Sequence, residues 1–342
     1  MKRIVACSDG TWNKPAVKSG GKYVRTNVQK LFESIANKDE NGIYQAKYYD
    51  EGIGAEGTAV SKILDGATGR GIDENILDVY KFILWNYEPG DEIYLFGFSR
   101  GAYTARSVAG LLRSCGIIKE NKLELIDEAY RIYRMRGSDK THPDGSLATE
   151  FRNNNSYDGF NIKFVGVWDT VGSLGIPIRF FQFNKRKYQF HDTTLSSIVE
   201  NAFHALAIDE RRSNFKPTLW QQSDKVKNGE KKQVLEQVWF PGVHSNVGGG
   251  YPDEGLSDIA MQWMVEKAKN TGLAFKQDYL DKNIKVNSQG VLVNSNTFPF
   301  NIVPAYVRQV CKTENACETV HPSAFERIKA MSGYRPKNIP EL

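Results

Sequence analysis

The 342 residues are 40% apolar, 12% aromatic and 25% charged, a globular balance that excludes collagenous, coiled-coil and wholly disordered chains. Against 40 acidic residues stand 45 basic ones, a net +5 that is too mild and too dispersed for a polyanion-binding face, so no nucleic-acid partner is expected. Cys7, Cys115, Cys311 and Cys317 show no C-x-x-C pairing and are expected to be reduced thiols. The apolar run Ile4 to Cys7 falls short of the roughly 7–15 residues of a signal-peptide core. No stretch approaches a membrane span, so the expected location is cytoplasmic.

Short β-rich runs alternate with amphipathic helices, the pattern of a parallel sheet covered by helices. The first strand, Arg3 to Ser8, stops at Asp9-Gly10, and Thr26 or Asn27 then caps a helix with Val28, Leu31, Phe32 and Ile35 on one face. A second strand, about Tyr44 to Tyr49, ends at Gly52-Ile53-Gly54, and a helix starting near Asp73 stops at Pro89-Gly90. The third strand, Glu92 to Phe96, runs straight into Gly97-Phe98-Ser99-Arg100-Gly101, and a third helix follows through Leu112. The polar stretch from Gly137 to Tyr157 reads as a surface loop. A fourth strand, Asn161 to Trp168, closes on Asp169; after a long excursion another strand, Gln233 to Phe240, ends at Pro241-Gly242-Val243-His244. Ser257 is expected to cap a later helix carrying Ile259, Ala260, Trp263 and Met264. The order predicts one α/β domain over residues 1–342, with a cap- or lid-like insertion around 172–232. In such sheets the ligand crevice lies outside the carboxyl ends of the strands, where the informative polar residues gather.

Gly97-Phe98-Ser99-Arg100-Gly101 fits G-x-S-x-G between a buried strand and a helix, the context that gives the pattern meaning. A serine hydroxyl is a weak nucleophile, so it must be raised on a sharp turn within reach of a base, with small neighbours that let strand and helix approach. Gly97, Gly101 and Ala102 meet that need, and the Arg100 N–H is the expected half of an oxyanion hole. Read blandly, the segment is only a glycine-flanked turn with an exposed serine.

The serine needs an imidazole to take its proton and a carboxylate to set the imidazole's tautomer. Among the 5 histidines, His142 lies in the polar loop, His191 follows a Phe-rich segment, His204 sits inside a helical pattern and His321 precedes Pro322. His244 alone follows a strand end directly, in a turn with Gly242, Gly248, Gly249 and Gly250. Asp169 emerges at the end of the strand after the Ser99 unit. Its rivals are Asp192, Asp253 and Asp209, the last read as sitting at a helix end and pairing with Arg211 or Arg212. Ser99, Asp169, His244 is the chain order expected of an α/β hydrolase. The second oxyanion donor is sought in Asp9-Gly10-Thr11, at Gly10 and Thr11, although Asp9-Gly10 also reads as a plain turn. Asp9, Asn13 and Asp253 lack EF-hand spacing, so no metal is assigned, and no cofactor is expected.

Several blocks carry a family resemblance: Asp9-Gly10-Thr11-Trp12-Asn13, the Tyr48 to Gly54 turn, the Gly97 to Ala102 elbow, Val165 to Gly172, Ile208 to Arg212, and Pro241 to Tyr251. Together, and in this order, they resemble the bacterial and fungal family of α/β hydrolases that includes the first class of type VI secretion lipase effectors. The resemblance implies Ser99 as nucleophile, Asp169 as acid, His244 as base, and cleavage of phospholipid acyl esters. It further implies a secretion-system or immunity-protein partner and export that needs no signal peptide. Lipase members usually carry added membrane-anchoring segments, and this chain is expected to end with the hydrolase domain. Phe180, Phe181 and Phe183, interleaved with Arg179, Lys185, Arg186 and Lys187 in the expected insertion, suit a lid that touches an anionic lipid surface; a packed cap is the plainer reading. The expected function is a serine hydrolase of carboxylic esters, of phospholipase or lipase-like type. A soluble ester or thioester substrate, or a catalytically silent binding module on the same scaffold, are the alternatives.

Overall fold

Strand β1, Arg3–Ser8, is buried at every position, as a parallel strand covered on both faces must be. The computed structural model describes residues 1–10, 18–19, 22–52, 70–135, 139–171, 193–298, 300–314 and 316–339. Six more strands join β1 in one sheet: β2 Gln45–Asp50, β3 Glu92–Phe98, β4 Ile162–Trp168, β5 Val199–Ala207, β6 Val234–Phe240 and β7 Glu318–Val320. Their spatial order is β7, β6, β5, β4, β3, β1, β2, and all pairs are parallel. From β1 the chain steps out to the β2 edge and returns across β1 to β3. The sheet thus grows in opposite directions on either side of the β1/β3 boundary, which places the crevice at the carboxyl ends of β1, β3 and their neighbours.

Helices cover both faces. Helix α1, Asn27–Ser34, starts where the Thr26 hydroxyl accepts the Gln29 N–H at 3.1 Å, a side-chain cap for an amide that the helix cannot satisfy itself. Then come α2 Arg70–Asn86, α3 Arg100–Cys115, α4 His244–Gly248, α5 Gly255–Asn270 and α6 Pro322–Ala330. Neighbouring strand residues divide between two cores: Ile4, Leu95, Val165 and Ala202 pack with α2 and α3, whereas Val5, Phe96, Phe164 and Phe203 pack with α1 and α5. This is the period-2 alternation of a strand with two apolar faces.

Three local expectations differ from the structure. The span 172–232 contains β5, a central strand between β4 and β6. Its Ala202, Ala205 and Ala207 favour helix intrinsically, so the pattern around His204 reads as helical; burial on both faces and pairing with two neighbours override that preference. Residues 172–192 of the span, with Phe180, Phe181 and Phe183, lie outside the described residues. The polar stretch before Tyr157 contains a helix, Ser146–Asn155, held by buried Ala148 and Phe151 and by Arg152, which donates to the carbonyls of Arg113, Ser114 and Pro143. Helix α5 begins before Ser257, whose hydroxyl donates to the Glu254 carbonyl at 3.0 Å.

Close backbone approach at the β3–α3 junction is enforced by glycine. A Cβ on Gly101 would lie 2.0 Å from the Ser8 carbonyl oxygen, and one on Gly97 would lie 2.3 Å from the Gly101 carbonyl oxygen. Alanine would improve helix propensity at Gly101 by about 1 kcal/mol, but backbone cannot yield to such an overlap as a flexible side chain can. Gly101→Ala is therefore expected to cost about 3 kcal/mol net, read as a lower urea midpoint at unchanged slope.

Candidate active site

Ser99 sits between the last residue of β3 and the first of α3, with φ 57° and ψ −117°. A non-glycine residue holds such a conformation only at a cost of about 1–3 kcal/mol, which the surrounding packing must supply. Here Gly97 and Gly101 seat the turn tightly, and the Ser99 N–H donates to the Trp168 carbonyl on the adjacent strand at 3.1 Å. The result lifts the hydroxyl off the strand end, at the amino terminus of α3.

His244 opens α4, one short turn beyond the end of β6. Its Nε2 lies 2.8 Å from Ser99 Oγ, and its Nδ1 lies 2.6 Å from Asp169 Oδ2. The tautomer consistent with both contacts has Nδ1–H donating to the carboxylate and Nε2 accepting the serine proton. Phe98 and Phe215 flank the ring, with centroids 4.6 Å and 5.0 Å away. Behind Phe98, a Cβ on Gly248 would fall 2.0 Å from the Phe98 ring, so glycine there lets α4 pack directly against Phe98.

Asp169 follows β4 and is fully buried, with φ 41°. Its N–H donates to the Ala205 carbonyl at 2.7 Å, and its Oδ1 accepts the Ala207 N–H at 3.0 Å, so β5 holds the acid by its backbone. Arg308 contacts both oxygens: Nη1 donates to Oδ1 at 2.5 Å and Nη2 to Oδ2 at 3.0 Å. Burial alone would raise the Asp169 carboxyl, but the Arg308 charge and the His244 bond outweigh it and hold the acid well below the usual carboxylate range. For His244, burial pushes the imidazole below its ordinary value against the opposing pull of Asp169. The ring is therefore neutral at neutral pH, the state a general base needs.

The other sequence candidates fall elsewhere. His204 lies on β5, where its Nε2 accepts the Thr170 N–H at 3.0 Å and its Nδ1 lies 3.2 Å from Gln237 Oε1. Burial, with the Arg106 charge, pushes it down to about 3, so it serves as a neutral support for the turn after Asp169. His321 caps α6 by accepting the Ser323 N–H at 3.2 Å, and His142 Nδ1 accepts the Asp144 N–H at 3.2 Å. Asp209 follows a strand end, not a helix end; its Oδ2 accepts the Gly242 N–H at 2.7 Å and the Tyr334 hydroxyl at 2.8 Å. Glu210 is the residue that pairs with Arg212, through Nε at 2.9 Å and Nη2 at 2.8 Å. Asp253 Oδ1 accepts the Gly255 and Val291 amides at 3.2 and 3.3 Å. The Gly10 amide donates to Asp9 Oδ1 at 2.6 Å, while Asp9 Oδ2 accepts the Thr26 and Tyr49 hydroxyls. Thr11, Asn13, His191 and Asp192 lie outside the described residues.

Two residues around the site escape the sequence reading. Glu210 Oε2 accepts the His244 backbone N–H at 3.2 Å, and the Ser295 hydroxyl reaches both Glu210 oxygens at 3.1 Å. Despite burial, the Arg212 contact lowers Glu210 to about 2. Arg308 lies in Val307-Arg308-Gln309-Val310, where Arg308 and Val310 are buried and their neighbours exposed. That alternation is its only local signal, and an arginine on the inward face carries no indication of its partner. A separate cavity of about 930 Å³ along the later turns of α3, between Arg106, Tyr133, Leu195 and Trp220, includes none of Ser99, Asp169 and His244.

The family model described as "T6SS, Phospholipase effector Tle1-like, catalytic domain" matches residues 2–267. An uncharacterised protein of Saccharomyces cerevisiae, YEL023C, is 33% identical over 233 residues, covering 63% of this chain and 32% of the yeast protein. A crystal structure of an uncharacterised protein from Pseudomonas aeruginosa is similar at TM-score 0.48 and 19% identity, over 84% of this chain and 49% of the other. A structure of the Tle1 effector bound to the VgrG spike of the type VI secretion system is similar at TM-score 0.41 and 22% identity, over 74% of this chain and 52% of the other. The chain thus spans about a third of the yeast relative and about half of these solved chains. With its own seven-stranded parallel sheet and a family match over most of its length, the chain belongs to the Tle1-like phospholipase effector catalytic-domain family.

Proposed function

We propose that this chain is a serine ester hydrolase of the phospholipase type. In this reading Ser99 Oγ attacks an acyl carbonyl while His244 Nε2 takes its proton. The Asp169 carboxylate holds the imidazole through Nδ1–H and stabilises the imidazolium that forms. Collapse of the tetrahedral species transfers the proton from His244 to the leaving alcohol and leaves an acyl-Ser99, which water then cleaves by the same route. The Arg100 amide, at the start of α3, is assigned as one oxyanion donor, and the Gly10–Thr11 loop as the source of the second.

The observation that carries this reading is the unbroken relay of 2.8 Å from Ser99 to His244 and 2.6 Å from His244 to Asp169. The lipid side of it rests on the family, and delivery by a secretion system without a signal peptide is proposed on the same ground. Among the described residues no helix is long and apolar enough to cross a membrane. Contact with a lipid surface is proposed for Phe180, Phe181 and Phe183 on the ground of their aromatic side chains interleaved with cations. A fluorophosphonate is expected to label the protein once, on the peptide carrying Ser99. Phospholipid vesicles should release fatty acid faster than short-chain soluble esters at equal ester concentration. No labelling at Ser99 sinks the serine mechanism; labelling with a preference for the soluble ester retains it and removes the phospholipase assignment.

A further inference from the structure

Arg308 is 1% exposed, and its guanidinium is held from several sides. Besides its two bonds to Asp169, Nη1 donates to the Ala207 carbonyl at 2.9 Å and Nη2 to the Phe215 carbonyl at 2.6 Å. Its own carbonyl accepts a bond from Asn338 Nδ2 at 3.2 Å. A cation taken out of water costs several kcal/mol unless its charge is answered, and here the answer is the carboxylate that faces His244. The residue lies beyond the family match, which ends at residue 267.

We propose that Arg308 is a positioning residue of the triad, supplied by the C-terminal part of the chain, which fixes the plane of the Asp169 carboxylate toward His244 and remains its counter-charge throughout the reaction cycle. The proposal rests on the serine-hydrolase reading of the same site. Two effects follow from the geometry. Oδ1 is pinned by Arg308 Nη1 and the Ala207 N–H, so the carboxylate cannot rotate and Oδ2 stays directed at Nδ1. An aspartate facing a histidine alone would also draw a proton onto the imidazole strongly; a permanent guanidinium on the same carboxylate offsets that pull and keeps His244 a free base to lower pH.

The other charges facing the ring are balanced in the same way. Glu210, bonded to the His244 amide, carries Arg212. Tyr251 lies near that second pair. On β5, His204 meets the turn after Asp169 and feels the Arg106 charge. Among the described residues, the two carboxylates bonded to His244, Asp169 and Glu210, thus each have an arginine, and removing Arg308 leaves one of them unanswered.

The test is a titration of His244 by NMR in protein carrying Ser99→Ala and ¹⁵N-labelled histidine, with and without Arg308→Met, alongside the kcat/KM pH profiles of the corresponding Ser99 enzymes. Arg308→Met is expected to move both the His244 titration and the acid limb of kcat/KM upward by on the order of one pH unit. Arg308→Lys, which keeps the charge and loses the two-point grip, should leave the limb in place while kcat falls on the order of 10- to 100-fold at unchanged KM. Coincident His244 titrations with and without the guanidinium overturn the proposal, as does a change in KM alone. If Arg308→Met does not fold, Arg308→Gln is titrated in its place. If neither neutral variant folds, Arg308→Lys decides: an unmoved limb with lowered kcat supports the assignment, and wild-type kcat overturns it. Should the unaltered protein hydrolyse no ester, the serine-hydrolase reading fails by itself, and the NMR titration still reports whether Arg308 governs His244.

Discussion

Ser99→Ala is expected to lower kcat by a factor on the order of 10⁴ or more, with KM nearly unchanged. The variant removes the atom proposed to form the acyl bond but leaves the turn that carries it, because Ser99 is held by its backbone between β3 and α3 and its hydroxyl has His244 Nε2 as its partner. Adding His244→Ala to it should cost almost nothing further, since a base without a nucleophile has no proton to take. Steady-state hydrolysis of one ester by the two single variants and the double variant checks both statements. Single losses that multiply in the double variant would mean the two side chains do not act as a unit, and a Ser99→Ala enzyme within tenfold of wild type removes the proposed chemistry altogether.

Asp169→Asn should be nearly as damaging to kcat, by about 10⁴-fold, and it should also destabilise the fold. The Oδ1 position faces two donors, Arg308 Nη1 and the Ala207 N–H, so the amide oxygen settles there and the NH₂ turns to the Oδ2 position. There it meets His244 Nδ1 and Arg308 Nη2. An NH₂ opposite Nδ1 selects the wrong imidazole tautomer, with the proton on Nε2 facing the serine. The same NH₂ also opposes a guanidinium whose buried charge has lost its carboxylate, a loss worth about 3–5 kcal/mol. Kinetics and a thermal melt on one preparation separate the two effects: reduced kcat in a fully folded fraction reports the tautomer, and the lowered midpoint reports Arg308. An Asp169→Asn enzyme that keeps wild-type turnover would remove Asp169 from the proposed triad.

Much of the sheet can be read from the chain because its strands are short, β-branched or aromatic, and closed by turn residues. Strands β1, β3, β4 and β6 are legible for this reason, and so are helices α1, α2 and α3. Strand β5 is not, because its alanines and His204 take their conformation from β4 and β6 on either side. The Ser146–Asn155 helix is hidden for the opposite reason: only Ala148 and Phe151 of its ten residues are buried, too few to mark an apolar face. Ser99, Asp169 and His244 stand out because each follows a strand end, a feature that can be seen locally.

What the residue order determined by itself is therefore local and steric: a G-x-S-x-G turn that only small flanking residues permit, and three reactive side-chain types placed after strands in the order serine, aspartate, histidine. Tertiary structure decided the rest. It set the spacing of those side chains, made β5 the backbone support of Asp169, and brought Arg308 onto the acid and Glu210 under His244. Those choices depend on electrostatics and packing between segments far apart in sequence. A buried charge is placed by whichever partner can neutralise it, and no pattern within a few residues of Arg308 names Asp169 as that partner.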